Sequence, residues 1–156
     1  MKAKIEQWRI FVDGAARNNP GPAGAGIYIT AGDETICERG YYLGKKTNNQ
    51  AEYLALLLAL LITNKEIKKR KISNPKLVIT SDSELLVKQM NKVYRVKNKE
   101  LQKIKSVIDE LLEDKSYVVK HVLREKNKIA DKLANKGIDS KKSPPKDLRC
   151  ENYSFF

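Results

Sequence analysis

Residues 54–62 are all apolar, and the wider segment 50–65 carries apolar side chains on nearly every side of a helix. A helix of that kind must be covered all round. The run is far short of the roughly 20 residues that cross a bilayer, so the cover has to be protein, with a sheet against one side. The neighbouring segments supply one. Residues 5–12 read as a strand ending at Asp13-Gly14 and followed by a loop dense in turn formers, AARNNPGPAG. Residues 25–30 and 35–43 read as two more strands joined by the turn at 31–34, an antiparallel meander.

The helix start is marked by Asn49 with Glu52 three residues on, a capping-box pattern. Residues 76–80 form a short strand, and the stretch Ser81-Asp82-Ser83-Glu84 opens a helix to about residue 90. Leu101, Ile104, Ile108, Leu111 and Leu112 give helical spacing over 99–113; a strand follows at 117–123, then a helix at 126–136 closed by Gly137. The order βββαβααβα predicts an α/β fold whose mixed sheet joins an antiparallel meander to parallel strands, with helices on both faces. One domain is expected over residues 1–139. The basic tail 140–156, broken at Pro144-Pro145, is expected to be partly mobile, with the aromatic end near Tyr153 and Phe155 docked on the body.

The chain of 156 residues carries 31 Lys and Arg against 19 Asp and Glu, a formal charge of +12. That favours an anionic partner, nucleic acid above all, because neutralised phosphates release counterions. Cys37 and Cys150 have neither CxxC spacing nor a histidine pair, which argues against zinc and against a disulfide scaffold; two free thiols are expected. The N-terminus lacks the apolar core of a signal peptide, so a soluble, cytoplasmic protein without membrane attachment is expected.

On this basic chain four acids stand out. Asp13 and Asp82 end strands, while Glu52 and Asp131 lie near helix starts, and these ends can meet at one edge of a sheet. Each has an ordinary alternative: Glu52 as part of a capping box, Asp82 as an N-cap, Asp13 as a turn former, Asp131 favoured by the helix dipole. Together they suggest a carboxylate site for Mg²⁺, a cation that prefers oxygen ligands and completes its shell with water and substrate phosphate.

Four segments, DGAARNNPGPAGAG, TNNQAEYLAL, ITSDSELLVKQMN and HVLREKNKIADKLAN, resemble in order the signature segments of the type 1 ribonuclease H family, over about residues 5–137. The resemblance implies a ribonuclease H-like fold with a five-stranded sheet of order 3-2-1-4-5. It also implies endonucleolytic hydrolysis of the RNA strand of RNA/DNA hybrids, leaving 5′-phosphate and 3′-hydroxyl ends. It assigns Asp13, Glu52, Asp82 and Asp131 to a site for two Mg²⁺ ions, with Mn²⁺ as substitute. It places Gly14, Asn18, Lys45, Thr47, Asn48, Asn49, Gln50 and Ser83 against substrate, the short amides reading a minor groove and Lys45 with Thr47 gripping a DNA phosphate. Turn and cap chemistry accounts equally for the asparagines, and solvation for Lys45.

Two departures qualify the resemblance. Bacterial members carry a histidine in a Gly-containing loop before the last acid. His121 has the spacing, but VVKHVLREKN lacks the glycine and reads as strand through Val122 and Leu123. The segment is closer to the archaeal-type variant, so Arg124 is the expected fifth functional residue and His121 the runner-up. Arginine stays charged near neutral pH and would act on phosphate electrostatically; an ion pair with an acid is its ordinary alternative. The second departure is the absence of a Trp-rich basic protrusion between Asp82 and residue 99, where Tyr94 is the sole aromatic. Asn127 is expected to cap the last helix and so aim Asp131. The alternatives to a ribonuclease H are a non-catalytic nucleic-acid binder of the same fold and a DNA-cutting nuclease of the superfamily. A monomer without small-molecule cofactor is expected.

Overall fold

The computed structural model describes residues 7–148 and 154–156. Ile5, expected to open the first strand, lies outside the described residues, as do Cys150 and Tyr153. Strands β1 (Gln7–Ala16), β2 (Gly21–Ala31) and β3 (Glu34–Lys46) form the antiparallel meander. Helix α1 (Asn48–Lys69) crosses to β4 (Lys76–Ser81), parallel to β1. Helices α2 (Glu84–Met90) and α3 (Lys99–Leu112) lead to β5 (Ser116–His121), parallel to β4, and a 3₁₀ turn (Arg124–Lys126) precedes α4 (Lys128–Ser140). The sheet order is β3-β2-β1-β4-β5, the expected topology.

Period-two alternation sets the faces of the sheet. Trp8, Ile10 and Val12 of β1 are fully buried while Gln7 and Arg9 are exposed. The all-round apolar helix is buried without exception from Ala51 to Leu60, because it lies between the sheet and α3. Helix α4 covers the opposite face. Asp13 pairs with Gly26 and Gly26 with Gly40, so the three share one face. A Cβ on Gly26 or Gly40 would run into the carbonyls of Ala130 or Leu133 in α4. Gly14, next in the chain and so on the other face, meets the backbone of Ala51 and Glu52 in α1. Glycine thus lets two helices approach the end of β1 from opposite sides.

Several local expectations are corrected. The loop AARNNPGPAG is mostly strand: β1 and β2 stay paired out to Ala16 and Ala23, leaving 17–20 as the turn. Alanine and glycine there read as turn signals, yet their small side chains let the ladder continue under α4. The capping box of α1 is formed by Thr47 and Gln50, two residues before the expected pair. Glu52 therefore lies beyond the first turn and is free of cap duty. Ser83, not Asp82, caps α2, its Oγ accepting from Leu86 N at 3.2 Å. Strand β5 ends at His121, so Val122 and Leu123 are not strand. Gly137 lies inside α4, packed on the backbone of Tyr41; the helix ends at Ser140, with Lys141 at φ 54° as its C-cap.

The tail runs beside β3: Tyr42 N donates to Lys142 O at 2.7 Å, Lys65 pairs with Asp147, and Leu148 and Phe155 are buried. Cys37 is a buried free thiol whose pKa burial pushes up to about 11. Among the described residues no helix is long and apolar enough to cross a membrane.

Candidate active site

Three of the four singled-out acids converge where β1, α1 and β4 meet. One carboxylate oxygen from each of Asp13, Glu52 and Asp82 lies within 4.8 Å of the others. Asp13 and Glu52 are only 6% and 7% exposed, which is unusual for carboxylates. The arrangement is built from the backbone upward. Because α1 sits directly on Gly14, the Gly14 N–H donates to Glu52 Oε1 at 2.5 Å and holds that side chain against β1. Asp82 reaches the site because Ser83 has taken the cap of α2.

Burial, and after it the charge of Glu52, pushes the pKa of Asp13 far above the usual carboxylate range. Burial raises Glu52 as well, against the Gly14 hydrogen bond, and raises Asp82. Glu52 Oε2 is buried with no hydrogen-bond partner among the described residues. Three crowded oxygen donors, raised proton affinities and an orphaned carboxylate oxygen are what a hard divalent cation would relieve. The donor set fits such an ion.

Asp131 stands apart from this trio. It lines the same cleft and is close enough to raise Asp13, but its Oδ1 pairs with Arg124 at 3.3 Å. Arg124 extends from the 3₁₀ turn with 77% of its side chain exposed, so its ion pair leaves most of the guanidinium open to solvent. His121 lies at the end of β5, with Nε2 3.3 Å from the Asp82 carbonyl.

The cleft around the acids has a volume of about 480 Å³ and is lined also by Gly14, Asn48, Asn49, Ser83, Arg17 and Asn135. Asn48 Oδ1 accepts from Ala16 N, which leaves its amide hydrogens for the cleft. Thr47 and Gln50 are occupied with one another at the α1 cap. Lys45 sits on β3 outside the lining, and Asn18 is an exposed turn residue at φ 62°. Its neighbour Asn19 bonds within the protein, Oδ1 accepting from Asn48 N at 2.9 Å.

Arg17, Asn19 and Asn135 were not among the expected site residues. Asn135 was findable, lying one helical turn beyond Asp131 on the same face; its Nδ2 donates to the Asp131 carbonyl at 3.1 Å. Arg17, in the β1–β2 turn and paired with Asp139 of α4 at 2.7 Å, gave no local signal.

Comparison with known proteins agrees with this geometry. The model of the Reverse transcriptase-like family matches residues 11–137. The chain is 35% identical over 131 residues to Ribonuclease HI of Halobacterium salinarum, covering 83% of this chain and 63% of that one. It is 32% identical over 143 residues to a bifunctional protein of Mycobacterium tuberculosis, covering 90% of this chain. The chain thus spans 63% and 36% of the lengths of these two relatives. Among solved structures, LC11-RNase H1 in complex with an RNA/DNA hybrid superposes with a TM-score of 0.78 at 39% identity, over 85% of this chain and 97% of that one. From the matched residues, the shared sheet order and these similarities, the chain belongs to the type 1 ribonuclease H family.

Proposed function

We propose that this protein is an endonuclease that hydrolyses the RNA strand of RNA/DNA hybrids, using Mg²⁺ or Mn²⁺ and leaving 5′-phosphate and 3′-hydroxyl ends. One observation carries the reading: carboxylates from three separate elements are held within 4.8 Å of one another, two of them buried, on a chain of net charge +12. A nucleic-acid binder without metal would gain by losing those charges, since each repels phosphate.

Asp13, Glu52 and Asp82 would hold the cations, with Asp131 joining from α4. When bound, a cation pair supplies activation of water and stabilisation of the leaving 3′ oxygen. The protein's own groups do the rest. The Gly14 N–H keeps Glu52 turned toward the site, so the ligand oxygens need no rearrangement. The free amide hydrogens of Asn48, with Asn49, face the cleft and suit base edges and a 2′-hydroxyl of the RNA strand. Thr47 and Gln50 act through the cap that presents those asparagines. Asn18, Lys45 and Ser83 are assigned secondary contacts with the substrate backbone. Arg124, charged throughout the working pH range, draws the phosphate toward the Asp131 side and releases Asp131 as it does so. His121, held on the Asp82 carbonyl, is the weaker candidate for that assisting role.

The test is incubation of end-labelled RNA/DNA, RNA/RNA and DNA/DNA duplexes with Mg²⁺, Mn²⁺ or chelator. Cutting confined to the RNA of the hybrid, and dependent on metal, is the expected result. Binding without cutting, or cutting of DNA, refutes it.

A further inference from the structure

The pairing of β1 with β4 stops at Val12 and Ser81, the residues immediately before Asp13 and Asp82. Their carbonyls belong to the peptide groups that lead into the two acids, and beyond this fork they take donors from elsewhere. Both donors come from the segment between β5 and α4. Val122 N donates to Ser81 O at 3.0 Å. Asn127 Nδ2 donates to Val12 O at 2.9 Å, across 115 positions of sequence.

Asn127 does not behave as its position suggests. It precedes α4, where an asparagine ordinarily turns its side chain onto the free N–H groups of its own helix. No such bond is made. The side chain, 2% exposed, points instead across the fork. A carbonyl only accepts, so the amide nitrogen must face Val12, and Oδ1 is left buried with no hydrogen-bond partner among the described residues. Forgoing a cap and burying an unpaired acceptor both lower stability. Meanwhile the Asn127 carbonyl accepts from Asp131 N at 3.1 Å. One buried residue therefore bonds the peptide ahead of Asp13, whose strand is paired at Val12 with Ser81 just before Asp82, and the turn that carries Asp131.

We propose that Asn127 is a positioning residue of the carboxylate site, whose side-chain amide clamps the β1–β4 fork to the start of α4 and so sets the mutual placement of Asp13, Asp82 and Asp131. A site held this way receives a cation without rearrangement, and loosening the clamp weakens ion binding even when the fold persists. Partners that orient metal ligands from behind are worth about 10- to 100-fold in affinity or activity when removed. The catalytic arm of the test rests on the proposed nuclease activity; the binding arm does not.

The experiment compares wild type with Asn127→Ala and the near-isosteric Asn127→Asp, which keeps the volume but presents an acceptor to Val12 O. Mn²⁺ affinity is read by calorimetry without substrate, and kcat and KM are read on an RNA/DNA hybrid. Thr63→Ala is the control: Thr63 is buried in α1 and, among the described residues, its side chain bonds only the Ala59 carbonyl and does not line the cleft. The expected result is a loss of Mn²⁺ affinity of about 10- to 100-fold in both Asn127 variants, with kcat down about 10-fold or more and KM within about 2-fold. Thr63→Ala should lose thermal stability while keeping wild-type Mn²⁺ affinity and kcat. Should Asn127→Ala fail to fold, Asn127→Asp alone carries the comparison. Wild-type Mn²⁺ affinity in a folded Asn127 variant overturns the proposal, as does an equal loss of affinity in Thr63→Ala. A wild-type protein that binds Mn²⁺ but cuts nothing refutes the nuclease reading and leaves the binding comparison to judge Asn127.

Discussion

Replacing Asp13 by asparagine should stabilise the metal-free protein while destroying its proposed chemistry. At 4.8 Å, the upper limit of their separation, and an effective dielectric near 20, two like charges repel by about 3.5 kcal/mol. Asp13 can escape that cost by keeping its proton. Holding at pH 7 a proton that an ordinary carboxyl releases at 3.8 costs about 4 kcal/mol, at about 1.36 kcal/mol per pH unit. The amide is neutral and of the same shape, so Asp13→Asn removes either penalty. Allowing for relaxation, the gain is about 2–3 kcal/mol, or roughly 4–12 °C in melting temperature for a domain of this size. The pH dependence has a definite sign. With its folded pKa raised, the native Asp13 carboxyl contributes fully below the unfolded value of 3.8 and loses that contribution as pH rises toward the folded one. The advantage of Asp13→Asn should therefore be near zero around pH 4, grow through neutrality, and shrink when saturating Mg²⁺ is added to both proteins. Thermal melts from pH 4 to 8, with chelator and with Mg²⁺, measure it. A variant no more stable than wild type at pH 7–8 in chelator, or equally stabilised at pH 4, would refute the electrostatic account of the site.

Other changes test other parts of the structure. Glu52→Gln keeps the Gly14 hydrogen bond to an oxygen but removes a ligand charge; hybrid cleavage should fall by more than about 100-fold, with hybrid affinity in gel shift changed by less than about 3-fold. Gly26→Ala places a methyl group against the Ala130 carbonyl and must push α4 off the sheet. A loss of about 2–3 kcal/mol is expected in urea titration, the upper part of the range for overpacked cores, because the clash is with backbone. Thr47→Ala removes the α1 cap, at a cost of about 1 kcal/mol in the same titration, whereas Asn49→Ala should leave stability nearly unchanged because Asn49 is not the cap.

The legible and the illegible parts of this chain divide on physical grounds. Apolar residues all round a helical segment require burial wherever that helix ends up, and α1 is buried from Ala51 to Leu60. The helical spacing from Leu101 to Leu112 likewise appears as α3 with Leu101, Ile104, Ile108 and Leu112 buried. Such patterns are local, so reading them needs no knowledge of neighbours. The acids were legible by type and by position at strand ends and helix starts, although three of them, rather than all four, form the tight group.

Choices between adjacent candidates were not legible. Thr47-Gln50 and Asn49-Glu52 both satisfy a capping box, and Ser83 and Asp82 both suit an N-cap. In each case the residue not used for the cap is the one whose carboxylate enters the site. Asn127 likewise has the sequence signature of a cap that its side chain does not make.

By itself the sequence determined most of the strands and helices and the kind of chemistry four acids on a basic chain can support, because these follow from periodicity and residue type, while the order of strands in the sheet came from the family resemblance. The tertiary structure alone decided which donor meets which acceptor. Gly14 and Glu52 are 38 residues apart, and Asn127 and Val12 are 115 apart. Their meeting depends on how closely α1 and α4 settle onto opposite faces of β1, a distance set by packing at Gly14, Gly26 and Gly40 that no local pattern encodes.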